Sequence, residues 1–420
     1  MLKINNIKKA LIWAFFILLF STSAFSHTAS TTIDGGLWQG THWYHRFILI
    51  IPDNLKIKNY VLLHITGSES IDRPLPYLSS LSNALGMACG IIYDIPNQPL
   101  FGGLREDALL SYSFEQFIKT KDSHWIILNQ MAKSVRAAMD YIEDYFSHHF
   151  NISLEGFILS GASKRGWTTY IVGAKDKRVR GIIPLSFDNV NFLKTLPHQL
   201  EQWGVYSSDL SDYTEKGIVD MMATPIGKKL LKQIDPWYMR KKLKIPKLIV
   251  TGTNDTYWTI DAASLYFSDL WGPKYIYYMP NRGHSLGWDR KIFSTIEKFI
   301  LSVVYGYRLP SFKFSYDYTG KEDRVYFRVK GKKIRPKGVS IWFATSYTKD
   351  FRDAIFREKP LFFSSTEKAF FGWIWLPKSR FMAFYPEVEY NFQDKSYYLC
   401  APARIVRGQL AHPEMVPSKK

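Results

Sequence analysis

Three short stretches of the chain carry the residue types of nucleophilic acyl chemistry. In Leu159-Ser160-Gly161-Ala162-Ser163-Lys164-Arg165-Gly166, a serine stands among small residues, after an apolar run and before a helix-like one. That setting suits a sharp strand-to-helix turn, which lifts a serine hydroxyl clear of a sheet. The helix start beneath it would offer free N–H groups to a developing oxyanion. Arg165 stands where a small residue is usual, so the pattern is Gly-x-Ser-x-x-Gly. In Leu248-Ile249-Val250-Thr251-Gly252-Thr253-Asn254-Asp255, an apolar run ends in a carboxylate, placed to hold an imidazole in one tautomer. Met279-Pro280-Asn281-Arg282-Gly283-His284-Ser285 puts a histidine on a loop after a late apolar run.

Each stretch alone has an ordinary reading: a helix N-cap serine, a turn aspartate, a surface histidine. Their order joins them. Ser163, Asp255 and His284 follow one another as nucleophile, acid and base, the Ser…acid…His order of α/β-hydrolases. Each falls just past a strand-like run, at the carboxyl edge where open parallel sheets place their sites. Asp188, after the run 181–187, is an alternative acid. An oxyanion hole needs one N–H from the residue after the nucleophile, here Lys164, and one from a loop after an early strand. His64-Ile65-Thr66-Gly67-Ser68 occupies that place, with the N–H of Gly67 or Ser68 as donor. The Lys164 ammonium could also stand near the transition-state charge.

Those residues need a scaffold. Short apolar runs at 47–51, 60–65, 84–93, 156–160, 181–187, 247–251 and 275–279 read as strands. A helical period runs from Trp125 to Tyr145, and 167–173 reads as a second helix. Alternation of this kind predicts a parallel sheet covered by helices. Residues 189–244 exceed a plain crossover and are read as a helical cap insertion whose Trp203, Tyr206, Trp237 and Tyr238, with Tyr257 and Trp258 near the acid, could line a pocket. After Leu309-Pro310 the texture becomes short alternating runs without helices, as in a C-terminal antiparallel β-sandwich. The fold expected is therefore an α/β-hydrolase domain over 27–308 and a β-sandwich over 309–406, with a flexible tail at 407–420.

The 420 residues are 46% hydrophobic and 16% aromatic, which supports two sizeable cores. Lys3, Lys8 and Lys9, the apolar run 10–20 and the small residues after it have the layout of a signal peptide over 1–26, hence a secreted or periplasmic protein. The net charge of +18 comes without any nucleic-acid module signature, so no nucleic acid is expected and an anionic envelope surface is a candidate partner. Cys89 and Cys400 read as separate buried thiols, and no spacing suggests a metal site or a cofactor.

Beyond these local patterns, the chain resembles the PhoPQ-activated pathogenicity-related protein family, which includes autocrine proliferation repressor-like proteins. The matching residues are Trp43 with 47–52, Arg105-Glu106-Asp107-Ala108, 133–140, Gly161-Ala162-Ser163-Lys164-Arg165-Gly166-Trp167-Thr168, Asp235-Pro236, 245–247, Gly252-Thr253-Asn254-Asp255, 281–284 and Asp350-Phe351-Arg352. The resemblance implies secretion, an α/β-hydrolase domain with a C-terminal β domain, and a link to envelope stress or virulence. The elbow is also similar to that of glucuronoyl esterases, where a basic residue follows the serine. Family members often carry proline later in the acid loop, where Ile260 stands here. Two functions are compatible: hydrolysis of a small-molecule ester or peptide, or ligand binding and signalling on a hydrolase scaffold.

Overall fold

The structure, a computed structural model, describes residues 26–67, 74–318 and 323–409. The expected signal segment, apart from Ser26, and the tail from 410 onward lie outside the described residues, as does Ser68.

The chain opens with two long antiparallel strands, β1 (Ser26–Trp38) and β2 (Thr41–Pro52). Strands β3 (Ile57–Ile65), β4 (Met87–Ile92), β5 (Gly156–Ala162), β6 (Val179–Leu185), β7 (Lys247–Gly252) and β8 (Lys274–Met279) continue the sheet. Its order is β1-β2-β4-β3-β5-β6-β7-β8. Pairing is parallel from β4 to β8, with β2 antiparallel to β4. This is the α/β-hydrolase sheet. Strands β4 to β7 are almost wholly buried because helices cover both faces, which is why they read as unbroken apolar runs.

The helices are α1 (Leu75–Leu85), α2 (Glu106–Thr120), α3 (Ile127–Phe150), α4 (Lys164–Lys175) and, late in the chain, α10 (Arg290–Val304). Helix α3 buries Met131, Val135, Ala138, Met139, Ile142 and Phe146 along one stripe, the period seen in the sequence. It packs on α4, while α1 packs on α10. Strand β1 was not foreseen before Trp38. Its Ser- and Thr-rich start lacks apolar alternation because residues 27–32 are exposed or half-buried on both faces, so no position there calls for an apolar side chain.

Between β6 and β7, residues 189–244 form the cap: α5 (Phe192–Trp203), α6 (Ser211–Thr214), α7 (Ile218–Met221), α8 (Pro225–Ile234) and α9 (Pro236–Met239). Asp235 is fully buried and accepts the N–H groups of Asn191, Phe192 and Trp237 at 2.9–3.0 Å. One carboxylate thus ties the start of α5 to the start of α9.

The C-terminal part is two antiparallel sheets. One runs β16 (Lys395–Cys400), β15 (Phe381–Phe392), β11 (Gly338–Ser346), β12 (Arg357–Pro360), with β17 (Arg404–Arg407) also on β15. The other runs β13 (Phe362–Ser364), β14 (Ala369–Trp375), β10 (Arg324–Gly331), β9 (Phe312–Asp317). They meet around Phe384, whose ring lies 5.0–6.3 Å from those of Phe314, Tyr316 and Phe327. The first of these sheets joins the hydrolase sheet edge through a Cys400–Ile276 bridge. Cys89 and Cys400 are both free and buried.

Candidate active site

Ser163 stands between β5 and α4 with φ 56° and ψ −123°, a backbone region that a non-glycine residue enters only under strain. Its N–H donates to the Leu185 carbonyl at 2.8 Å, and its carbonyl accepts from Trp167 at 2.9 Å. The turn is therefore held by the neighbouring strand and by the helix it opens. Gly161 makes the turn possible: a Cβ there would come within 2.9 Å of the Arg165 backbone.

The loops after β7 and β8 bring Asp255 and His284 to this serine. His284 Nε2 is 2.9 Å from Ser163 Oγ, and Nδ1 is 3.0 Å from both Asp255 carboxylate oxygens. Asp255 is buried and also accepts the Tyr257 N–H at 2.8 Å. The Tyr257 ring lies 4.2 Å from the His284 ring, and the Ser186 hydroxyl donates to the His284 carbonyl at 2.7 Å. This arrangement lets His284 take a proton from Ser163 while Asp255 fixes its tautomer. Asp188 is placed differently. It is buried, accepts a hydrogen bond from the Tyr266 hydroxyl, and is pushed well above the usual carboxylate range by burial. A carboxyl favoured in its neutral form is a poor anionic partner for an imidazolium.

The basic pair after the serine has partners that sequence spacing does not reveal. Lys164 Nζ sits 2.6 Å from Asp107 Oδ2 and 3.4 Å from Glu106. Asp107 is completed by the hydroxyls of Tyr213, at 2.8 Å, and Tyr257, at 3.0 Å. The Lys164 ammonium is thus held by carboxylates rather than left free for a transition-state charge. Arg165 forks onto Glu106 with bonds of 2.7 and 2.6 Å and also donates to the Ile95 carbonyl. This explains an arginine where a small residue is usual. Glu106 and Asp107 stood out in sequence only as part of the family-like Arg105-Glu106-Asp107-Ala108 run.

Burial alone would raise the Glu106 carboxyl, but the Arg165 fork, the Lys164 charge and the Gln98 amide hold it at about 2, below its ordinary 4.5. A carboxyl whose folded value is depressed stabilises the fold above its unfolded value and loses that contribution as pH falls through the folded one. Glu106→Gln is therefore expected to lower Tm at neutral pH and to flatten the decline of Tm between about pH 4.5 and 2, as melting curves of both proteins across that window would show.

A small cavity opens beside Ser163. Trp167, Phe187, Phe192, Tyr213, Tyr257 and Trp258 give it aromatic walls, and Leu210, Val219 and Met222 of the cap close it. Its free space is about 40 Å³, room for a few waters. Of the aromatics expected there, Tyr257 and Trp258 line it. Trp203 instead lies under the Arg352 guanidinium at 4.1 Å, and Trp237 under Arg240 at 3.9 Å. Tyr206 and Tyr238 are likewise not among the lining residues. Of the oxyanion candidates, Lys164 opens α4, so its N–H belongs to those a helix leaves without an internal partner. Gly67 packs so tightly on the Arg165 guanidinium that a Cβ would lie 1.7 Å from Nη2.

The C-terminal part reaches the site through one loop. The Asn254 amide, next to Asp255, donates to the carbonyls of Phe351, Arg352 and Ala354 at 2.7–3.2 Å. Asn281, three residues before His284, donates to the Phe356 carbonyl at 3.0 Å and accepts its N–H at 2.7 Å. Both loops are thereby braced by the same distant segment. Asn281→Ala is expected to lower kcat about tenfold with little change in KM, since a small misplacement of a base is felt in the chemical step. Steady-state kinetics on any ester substrate would check this.

Comparison with known proteins places these residues in a wider group. A model of the PhoPQ-activated pathogenicity-related protein family matches residues 25–352. Autocrine proliferation repressor protein A of Dictyostelium discoideum is 29% identical over 333 residues, covering 74% of this chain and 66% of its own length. Similar solved structures include Est1E from Butyrivibrio proteoclasticus, with TM-score 0.42 at 15% identity over 66% of this chain and 99% of that one. They also include an acetyl xylan esterase from Paenibacillus sp. R4, with TM-score 0.45 at 14% identity over 71% and 93%. A third is an acylaminoacyl peptidase from Pyrococcus horikoshii, with TM-score 0.45 at 12% identity over 69% and 44%.

Proposed function

As the chain belongs to the PhoPQ-activated pathogenicity-related protein family, we propose that it is an exported serine hydrolase acting on the acyl bond of an ester or peptide in the bacterial envelope or beyond it. The observation that carries this reading is the unbroken hydrogen-bond chain Ser163–His284–Asp255, set on a strained turn beside an apolar cavity. Ser163 Oγ attacks the carbonyl carbon as His284 Nε2 takes its proton. The carbonyl oxygen becomes an oxyanion, held by the Lys164 N–H, with the Gly67 N–H as the second donor. Collapse breaks the bond to the leaving group, which takes the proton from His284 and departs. Water, deprotonated by His284, then releases the acid and restores Ser163. The N-terminal layout of the sequence supports export, and the family description supports a link to envelope stress or virulence.

A fluorophosphonate probe tests the reading. The intact chain should be labelled at Ser163, and Ser163→Ala and His284→Ala should not be. A folded wild-type protein that takes no label would leave ligand binding on a hydrolase scaffold as the function.

The small cavity sets an expected preference. A pocket for a drug-sized ligand measures about 300–1,000 Å³, far more than the free space here. Acetyl esters should therefore be cleaved at least about tenfold faster, by kcat/KM, than octanoyl esters of the same alcohol. Met222→Ala, which removes cap bulk, should narrow that ratio. A chain-length series of aryl esters measures both.

A further inference from the structure

The β9–β10–β14–β13 sheet turns one face inward, and among the described residues no element covers the other. In β10 and β14, Val325, Phe327, Val329, Phe370 and Ile374 are buried, with Phe327 against Phe384. The alternate positions, paired across the strands as Arg324–Trp375, Tyr326–Trp373 and Arg328–Phe371, point the other way. Trp373 is 38% exposed, Trp375 53%, and Phe362, paired with Phe371, 79%. Large aromatics at successive outward positions of one strand are costly in water, where such positions usually carry small polar or charged side chains.

Cations stand among these rings. The Arg324 guanidinium lies 4.4 Å over Trp373 and 5.8 Å from Trp375, and Lys359 Nζ lies 4.4 Å over Trp373. Arg328 lies 5.6 Å from Phe371. Among the described residues, the acids of the same face are Asp317, across from Tyr326, and Glu367, 3.3 Å from Arg328. The chain as a whole carries +18. Because a guanidinium and an ammonium both sit over the Trp373 ring, that indole does not offer an open plane to stack a sugar ring. What the face presents is half-exposed or exposed aromatic rings beside cationic heads. That combination suits the boundary of an anionic bilayer, where indoles settle at headgroup level and Arg or Lys meets lipid phosphate.

We propose that this outer sheet face docks the protein peripherally on an anionic lipid surface. This face lies wholly on the C-terminal β9–β10–β14–β13 sheet, and docking through it does not depend on Ser163.

Co-sedimentation of the full chain with lipid vesicles tests it. Wild type should bind vesicles containing phosphatidylglycerol and not vesicles of phosphatidylcholine alone. Each cation near such a surface contributes about fivefold in affinity, so Arg324→Gln/Arg328→Gln/Lys359→Gln should weaken binding at least tenfold. Lys228→Gln/Lys229→Gln/Lys232→Gln, which removes the same charge from the exposed side of α8, should leave it unchanged. Phe362→Ser, at an exposed ring whose loss leaves the core intact, should weaken it severalfold without altering the fold. The proposal is overturned if wild type ignores anionic vesicles, if both charge triples lose binding equally, or if the face triple and Phe362→Ser bind like wild type. It is also overturned if soluble alginate is bound while vesicles are not, which would make the face a site for acidic polysaccharide.

Discussion

Ser163→Ala is expected to reduce kcat on an ester substrate by about a millionfold, and His284→Ala by a similar factor. The reason lies in how the two groups share one step. With Nε2 2.9 Å from Oγ, neither group is useful alone: the hydroxyl is a weak nucleophile without its base, and the base has no proton to take without the hydroxyl. The double variant should therefore be no worse than either single one. Both side chains are only half-buried, so their truncation should leave the fold intact, and unchanged circular dichroism and Tm would separate chemical loss from misfolding. Burst and steady-state kinetics on an activated ester make the measurement. Substantial turnover by a folded Ser163→Ala protein would end the nucleophile assignment.

Asp255→Asn should cost about ten-thousandfold in kcat, because an amide can present its NH₂ to Nδ1 and hold the imidazole in the wrong tautomer. Asp188→Asn should keep most of the activity. The two positions were alternatives in sequence, each an aspartate soon after a strand. They differ in what they touch: Asp255 meets His284 Nδ1 with both oxygens, whereas Asp188 is spent on Tyr266 in a buried setting that favours its neutral form. An outcome in which Asp188→Asn is the dead variant would reverse the assignment. The pair of variants should be assayed over a range of pH, since a lost orienting carboxylate changes the shape of the profile as well as its height.

Brace residues give a further contrast between what is local and what is not. Asn254 and Asn281 lie within three residues of the acid and the base, and the sequence marks both as family-like. Their partners, Phe351 to Phe356 on the loop between β11 and β12, are 75–100 positions away. Nothing in the local pattern of a turn states which distant carbonyl an amide will meet. The same holds for Asp107, whose Tyr257 partner lies 150 positions on. Strand β1 escaped notice for a different reason: its first half, paired to β2 through the backbone, buries neither face, so its side chains carry no alternation.

What the sequence by itself determined is what short-range physics writes into it. Buried parallel strands must be apolar throughout, a helix against a sheet must repeat its apolar stripe, and a turn that lifts a serine out of a sheet needs small residues around it. These rules made the α/β-hydrolase sheet, the long helix α3, the cap and the C-terminal β structure legible, and with them the order Ser163, Asp255, His284. Tertiary structure alone decided which aspartate faces the histidine, where Lys164 and Arg165 spend their charge, which aromatics wall the cavity, and how the C-terminal loop grips the site. Those outcomes depend on distances between groups far apart in the chain, and such distances exist only once the layers have packed.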